Sequence, residues 1–274
     1  MNDRESFATL VAALAPWAPQ LVFVGGWAHR LHRLHPSADP PAYQPLATLD
    51  ADVAFAERAQ LEGSIRARLQ EAGFTQQLTG DHRPPVSQYT LGEDANSGFY
   101  AEFLTPLTGR ATTREGVPIA TVENAGITAQ RLRYLELLLH APWHVTLTEE
   151  WGIRPLVDVC IPNPVSFIVQ KLLIHADRPR EKRSQDILYI HDTLQLFSAD
   201  IGRLAAIWND DVQPGMHANW VANVYQTTDL LFGRVSDPIR DAAVIPQDRE
   251  LDPERVQTFC HAALLEILAP AASG

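Results

Sequence analysis

Cysteine is nearly missing: Cys160 and Cys260 are the only two in 274 residues, each inside an apolar stretch. Two isolated thiols make neither a disulfide framework nor a zinc-ligand spacing, and they fit buried structural residues in a reducing compartment. Long apolar runs are missing as well. None approaches the roughly 20 residues that a membrane span requires, so no bilayer crossing is expected. The first six residues, Met1 to Ser6, carry no basic and then apolar leader pattern, which makes the cytoplasm the expected location. Positive charge is scarce: 22 Lys and Arg stand against 33 Asp and Glu, a formal net charge of −11. That balance excludes a chain whose whole surface is built for nucleic acid. Internal repeats and low-complexity tracts are lacking too.

What is present is ordinary for a chain that buries a core, with 46% hydrophobic and 20% charged residues, and the length suits two modest domains or one large one. Ser6 to Leu14 reads as a short amphipathic helix. Leu21 to Val24 is an apolar run ending in Gly25-Gly26, followed by a helical pattern from Trp27 to Leu34. A buried strand, a glycine turn and a helix is the economical reading. Residues His35 to Pro45 hold four prolines and read as a loop. From Ala47 to Phe55 the apolar residues Leu49, Ala51, Val53 and Phe55 alternate with Thr48, Asp50 and Asp52. A period of two predicts a half-buried strand with both aspartates on one face. Leu61 to Ala72 predicts a helix; Tyr89 to Leu91 and Phe99 to Leu104 predict strands, with Tyr100, Glu102 and Leu104 sharing a face. Trp143 to Leu147 and Leu156 to Ile161 suit strands, while Arg131 to His140 suits helix or strand equally.

After Pro162 the pattern turns helical. Asn163 is placed to cap a helix with Pro164 at its first position, and Val165, Ile168, Val169, Leu172, Leu173 and Ala176 form its apolar stripe. Ser184 is expected to cap a second helix that buries Ile187, Ile190, Leu194 and Phe197. A third runs from Asp252-Pro253 to Ile267. Arg178, Arg180, Lys182 and Arg183 form one local basic cluster, a solvated turn or a phosphate contact. His29, His32 and His35 lack a further ligand nearby in sequence and read as structural.

Paired carboxylates two apart are cheap. With 33 acidic residues in 274, chance supplies about four such pairs on strand spacing. Their context is more specific: Asp50 and Asp52 follow a strand ending in Gly25-Gly26 before a helix. Glycines admit a phosphate chain close to backbone N–H groups. Two carboxylates on one strand face can hold paired Mg²⁺ ions for an in-line displacement. A third carboxylate on a neighbouring strand completes such a site, and Glu102, in an otherwise apolar strand, is the candidate.

Val24-Gly25-Gly26, Thr48 to Val53 and Glu102 resemble the nucleotidyltransferase superfamily with the DNA polymerase β-like fold. Downstream, Ile161-Pro162-Asn163-Pro164, Lys171, Arg178, Lys182 and Asp186 follow an order similar to its AbiEii toxin type, over roughly residues 20 to 197. The resemblance implies an α+β fold: a mixed sheet flanked by helices over residues 1–162, then a mostly helical region over 163–274 that contributes Lys and Asp to the site. It implies transfer of a nucleoside monophosphate from an NTP to a hydroxyl on RNA or tRNA, a protein or a small molecule, with two Mg²⁺ ions. Gly25 and Gly26 would cradle the phosphates; Asp50, Asp52 and Glu102 would bind metal, with Glu102 also helping to deprotonate the acceptor. Lys171 and Lys182 would neutralise phosphate charge, with Asp186 orienting Lys182. The toxin type further implies an antitoxin protein as partner. Trp27 stands where the family usually has a small or hydroxyl residue, and Glu102 where Asp is commoner. Two alternatives therefore stay open: a lapsed member that binds nucleotide or protein without transfer, and an aminoglycoside-type transferase suited by the acidic balance.

Overall fold

The computed structural model describes residues 3–92, 98–121 and 123–270. It contains two compact units, one formed by Met1–Leu31 with Ala47–Pro162 and the other by His32–Leu46 with Asn163–Gly274. The proline-rich stretch thus groups with the second unit rather than with the sequence around it. Backbone and side-chain bonds show why: Asp39 N–H donates to Leu196 O at 2.8 Å, Tyr43 Oη to Gln195 Oε1 at 2.7 Å, and Gln44 N–H to Asp248 Oδ2 at 2.8 Å.

The first unit runs α1 (Asp3–Leu14), β1 (Val22–Val24), α2 (Gly25–Leu31), β2 (Asp50–Ala54), α3 (Ile65–Glu71), β3 (Phe74–Thr79), β4 (Val86–Leu91), β5 (Phe99–Pro106), β6 (Gln130–Leu132), α4 (Leu135–Leu139), β7 (Trp143–Leu147) and β8 (Val157–Ile161). Its eight strands form one mixed sheet in the order β3-β4-β5-β2-β1-β8-β7, with β6 added to β5. The fold is α+β, as the family resemblance implies.

The alternation in β2 and β5 decides which residues go where. One face of the sheet carries Phe23, Ala51, Val53, Phe99, Ala101 and Phe103, all buried in the main core with Phe7, Trp27, Leu69 and Trp151. The other face carries Val22, Val24, Ala54, Leu104 and Cys160, packed under Leu135 and Leu138 of α4. That second cluster is small. It covers the Ala54 and Leu104 ends of β2 and β5, and the same face continues at their opposite ends with Asp50, Asp52, Tyr100 and Glu102.

Several boundaries differ from the sequence expectation. Leu49 is 48% exposed rather than inward, because β2 begins only at Asp50. The helix expected from Leu61 starts at Ile65: Gly63 holds φ +83 and the Ser64 hydroxyl caps the helix by accepting from Ala67 N–H. Residues 131–140 are both things in turn, a three-residue strand and then α4.

The second unit is helical: α5 (Pro164–Ile174), α6 (Arg180–Leu196), α7 (Ile201–Ala206), α8 (Ala218–Phe232), α9 (Asp237–Ala243) and α10 (Pro253–Ile267). Asn163 caps α5, its Oδ1 accepting from Ser166 N–H at 2.8 Å, and Asp252 caps α10 through Arg255 N–H at 2.8 Å. Helix α5 is buried on every side from Pro164 to Leu173, so the expected stripe is the whole helix, and Ala176 falls past its end and is exposed. Ser184 does not cap α6. The helix begins at Arg180, and the buried Ser184 hydroxyl donates to Arg180 O inside it. Among the described residues, no helix is long and apolar enough to cross a membrane.

Candidate active site

Strand β1 delivers the chain into α2 through Gly25, and β1 pairs antiparallel with β2 so that Val24 faces Asp52. Strand β2 pairs in parallel with β5, setting Asp50 beside Tyr100 and Asp52 beside Glu102. Strand β4 pairs with β5 from the far side and sets Gln88 beside Glu102. Adjacent strands lie about 4.8 Å apart. Asp52, Glu102 and Gln88 therefore form one row across the sheet, with Asp50 and Tyr100 in the next row on the same face.

Gly25 is the tightest point. Its φ is +62, a left-handed conformation that costs other L-residues about 1–2 kcal/mol. A Cβ built there would also run into Oδ2 of Asp52. The absence of a side chain is what lets the Asp52 carboxylate lie against the start of α2. Gly25→Ala is expected to displace that carboxylate and, if Asp52 serves metal and nucleotide as the resemblance implies, to weaken Mg²⁺-dependent NTP binding by about tenfold, roughly 1.4 kcal/mol. Nucleotide titration with circular dichroism as a folding control checks this; unchanged affinity would remove Gly25 from the site.

The carboxylates have hydrogen-bond partners that fix them. The Thr48 hydroxyl donates to Asp50 Oδ1, and Gln88 Nε2 donates to Glu102 Oε1 at 2.9 Å. Burial pushes the Glu102 carboxyl above the usual range; the Gln88 bond works against that shift and Asp50 adds to it. The Tyr100 phenol is pushed up to about 12 by burial and by Asp50, Glu102 and Asp52, so it stays protonated at neutral pH. Gln88, Tyr100 and Thr48 were not singled out as functional by sequence reasoning. The expected strand at Tyr89 stopped one residue short of Gln88, whereas Tyr100 shares the alternation that revealed Glu102.

The raised Glu102 pKa has a stability consequence. A carboxyl that is harder to ionise when folded binds more protons in the native state between the two pKa values, so stability falls as pH rises through that window. Glu102→Gln is expected to remove this fall and to raise the melting midpoint at pH 7 relative to wild type, but not below the ordinary Glu pKa. Thermal melts at about pH 3.5 and 7, below and above the ordinary Glu pKa, test it; an equal change at both would refute the assignment.

Oxygen donors from three carboxylates on one face suit a hard cation such as Mg²⁺. The clearance at Gly25 for Asp52 and the half-buried carboxyl of Glu102 fit a site meant to be neutralised by one. Among the described residues, no three His, Cys, Asp or Glu side chains stand ready-assembled as a metal-ligand cluster.

A family model described as Nucleotidyltransferase matches residues 2–213. The chain belongs to this nucleotidyltransferase family. Among curated proteins, none matches it. The matched span includes Gly25, Gly26, Asp50, Asp52, Glu102, Lys171, Lys182 and Asp186.

In this family member, Trp27 is fully buried in the main core. It stacks on Phe7 at 3.9 Å between ring centroids and meets Phe99 and Trp151 edge-on at 6.1 and 6.4 Å. It belongs to the core face of the sheet, opposite the carboxylates, so its bulk does not fill the space in front of Gly25 and Gly26.

The second unit places its three residues differently from one another. Lys171 Nζ lies 2.6 Å from Asp186 Oδ1, and Arg178 Nε 3.1 Å from Asp186 Oδ2, with Lys171 and Asp186 both buried. The Lys171 ammonium also sits 4.7 Å from the ring centroids of Phe167 and Tyr189. Asp186 is thus engaged by Lys171 and Arg178 rather than orienting Lys182, which is exposed on the first turns of α6. Most of the basic cluster is likewise committed. Arg180 pairs with Asp241 at 2.9 Å, and Arg183 donates to Arg178 O and Ala176 O, each at 2.8 Å. His29 and His32 are buried, and His32 meets the rings of Phe167 and Phe197.

Proposed function

We propose that this family member is a metal-dependent nucleotidyltransferase that moves a nucleoside monophosphate from an NTP to a hydroxyl acceptor, using Asp50, Asp52 and Glu102. The observation that carries the reading is the parallel β2–β5 register, which sets Glu102 directly beside Asp52 with Asp50 on the same face. Asp50 and Asp52 would hold two Mg²⁺ ions and Glu102 one of them, which when bound would neutralise the triphosphate and make the acceptor hydroxyl easier to deprotonate.

The remaining work falls to the chain itself. Gly25 and Gly26 present backbone N–H groups to the phosphates at the start of α2. Glu102, oriented by Gln88, takes the acceptor's proton. The acceptor oxygen bonds to the α-phosphorus, and pyrophosphate leaves with the electrons of the broken P–O bond. Tyr100 keeps its proton and so adds no charge to the face. Of the two lysines that the motif order implies, Lys182 is exposed and Lys171 is paired with Asp186. The acceptor class is RNA or tRNA, a protein or a small molecule such as an aminoglycoside, and the toxin form of the reading adds an antitoxin that restrains the enzyme. Trp27 packs in the core, which supports the active over the binding-only reading.

The test incubates purified protein with Mg²⁺ and each labelled NTP in the presence of cellular RNA, protein extract or aminoglycosides. Transfer of label identifies nucleotide and acceptor together. Mg²⁺-dependent NTP binding without transfer to any acceptor would favour the binding-only form, and neither binding nor transfer would sink the proposal.

A further inference from the structure

Outside the carboxylate face, the second unit contains a cavity of about 610 Å³, within the usual size of small-molecule sites. It lies among the end of α8, the following turn, α9 and the turn after α5. Its polar lining is basic: His175, Arg183, Arg234 and Arg240. In a chain with a net charge of −11, three arginines around one cavity are a local reversal of sign. The one acidic residue in the lining, Asp237, is paired with Arg240 at 2.9 Å.

The arginines differ in what they have left to offer. Arg183 uses Nε and one Nη on the carbonyls of Arg178 and Ala176. Those bonds fix the guanidinium plane and leave its other Nη available for a further bond. Arg234 takes part in none of the hydrogen bonds or ion pairs among the described residues. Burial, with Arg183 next and Asp186 opposing, holds the His175 pKa below its ordinary value, so at neutral pH its ring donates or accepts without adding charge. The apolar part of the lining includes Leu230, 68% exposed, and Pro238.

We propose that this cavity binds a nucleotide unit, its phosphate held by Arg183 and Arg234 and its base laid over Leu230 and Pro238. Guanidinium forks match phosphate oxygens in geometry and charge, and a base offers an apolar face that needs no specific hydrogen bonds. The same chemistry is presented by a free mononucleotide and by one residue of a single-stranded RNA. The inference does not rest on transfer at the carboxylate face, since it concerns binding without divalent ions or turnover.

The test measures binding of inorganic phosphate, AMP and a single-stranded RNA octamer by calorimetry at low salt with EDTA present. Wild type and Asp50→Ala/Asp52→Ala should bind AMP equally, whereas Arg234→Glu should weaken AMP at least about tenfold with an unchanged melting midpoint. Leu230→Ser should weaken AMP but leave inorganic phosphate unaffected. Octamer binding tighter than AMP, and lost in Arg234→Glu, assigns the source to an RNA strand; equal affinity assigns it to free nucleotide. No binding of any probe by wild type, or affinity unaltered by Arg234→Glu, overturns the proposal.

Discussion

Replacing Asp50 and Asp52 together by alanine is expected to lower label transfer by about 10³-fold or more, since metal-held charge stabilisation in such sites supplies several kcal/mol. Stability should move the other way or not at all. The two carboxylates share one half-buried strand face with Glu102, so relief of like-charge repulsion offsets the lost Thr48 bond to Asp50 and the lost contacts of Asp52. A site assembled for function commonly trades stability for activity in this way. The single variants should each lose nearly as much as the double, because carboxylates that hold one pair of ions act as a unit. Radiolabel transfer and thermal melts on the same preparations check both halves. In the toxin form of the reading, growth arrest on expression would vanish with the same substitutions. Activity within tenfold of wild type in the double variant would place the chemistry elsewhere.

How much of this site could be read from the residues depended on range. Alternation in β2 and β5 is a local pattern of period two, and it alone put Asp50 with Asp52 and Tyr100 with Glu102. That the two strands are neighbours, parallel, and in the register Asp52–Glu102 is a long-range fact that spacing does not encode; the family resemblance stood in for it. Strand β3 went unread because Gln76 and Gln77 interrupt its apolar pattern at an edge of the sheet. Strand β6 and helix α4, three and five residues long, are shorter than any periodicity can resolve.

The helical unit was legible where caps were explicit, at Asn163 and Asp252, and illegible where polar residues are buried. Helix α8 packs Val224, Thr227, Thr228, Leu231 and Phe232 inward; the spacing is helical, but two of the five are threonines and hide the stripe. Lys171 and Asp186 show the same effect more strongly. Their order in sequence matched an active-site motif, while the fold buries them against each other, and a buried ion pair has its own structural consequences.

Those consequences give the second large effect. Asp186→Ala is expected to cost about 3–5 kcal/mol, the usual penalty for stranding one charge of a buried pair. Domains have only about 5–15 kcal/mol of stability. The stranded group would be the Lys171 ammonium, 6% exposed and held between Phe167 and Tyr189. Arg178 is 36% exposed and can turn to solvent instead. Lys171→Met should cost less, because Asp186 keeps Arg178 as partner and the methionine fills the lysine stem's volume. The double variant Lys171→Met/Asp186→Leu should recover most of the loss, since an apolar pair of similar size replaces a buried ion pair at little cost. Urea denaturation of all three variants measures these terms, and transfer assays on the double variant then separate the two roles. Restored stability with restored transfer makes the pair a packing device of the helical unit. Restored stability with transfer still lost makes its charges part of the chemistry, as the motif order implies. No recovery of stability would mean that Arg178 and the two rings depend on the charges themselves.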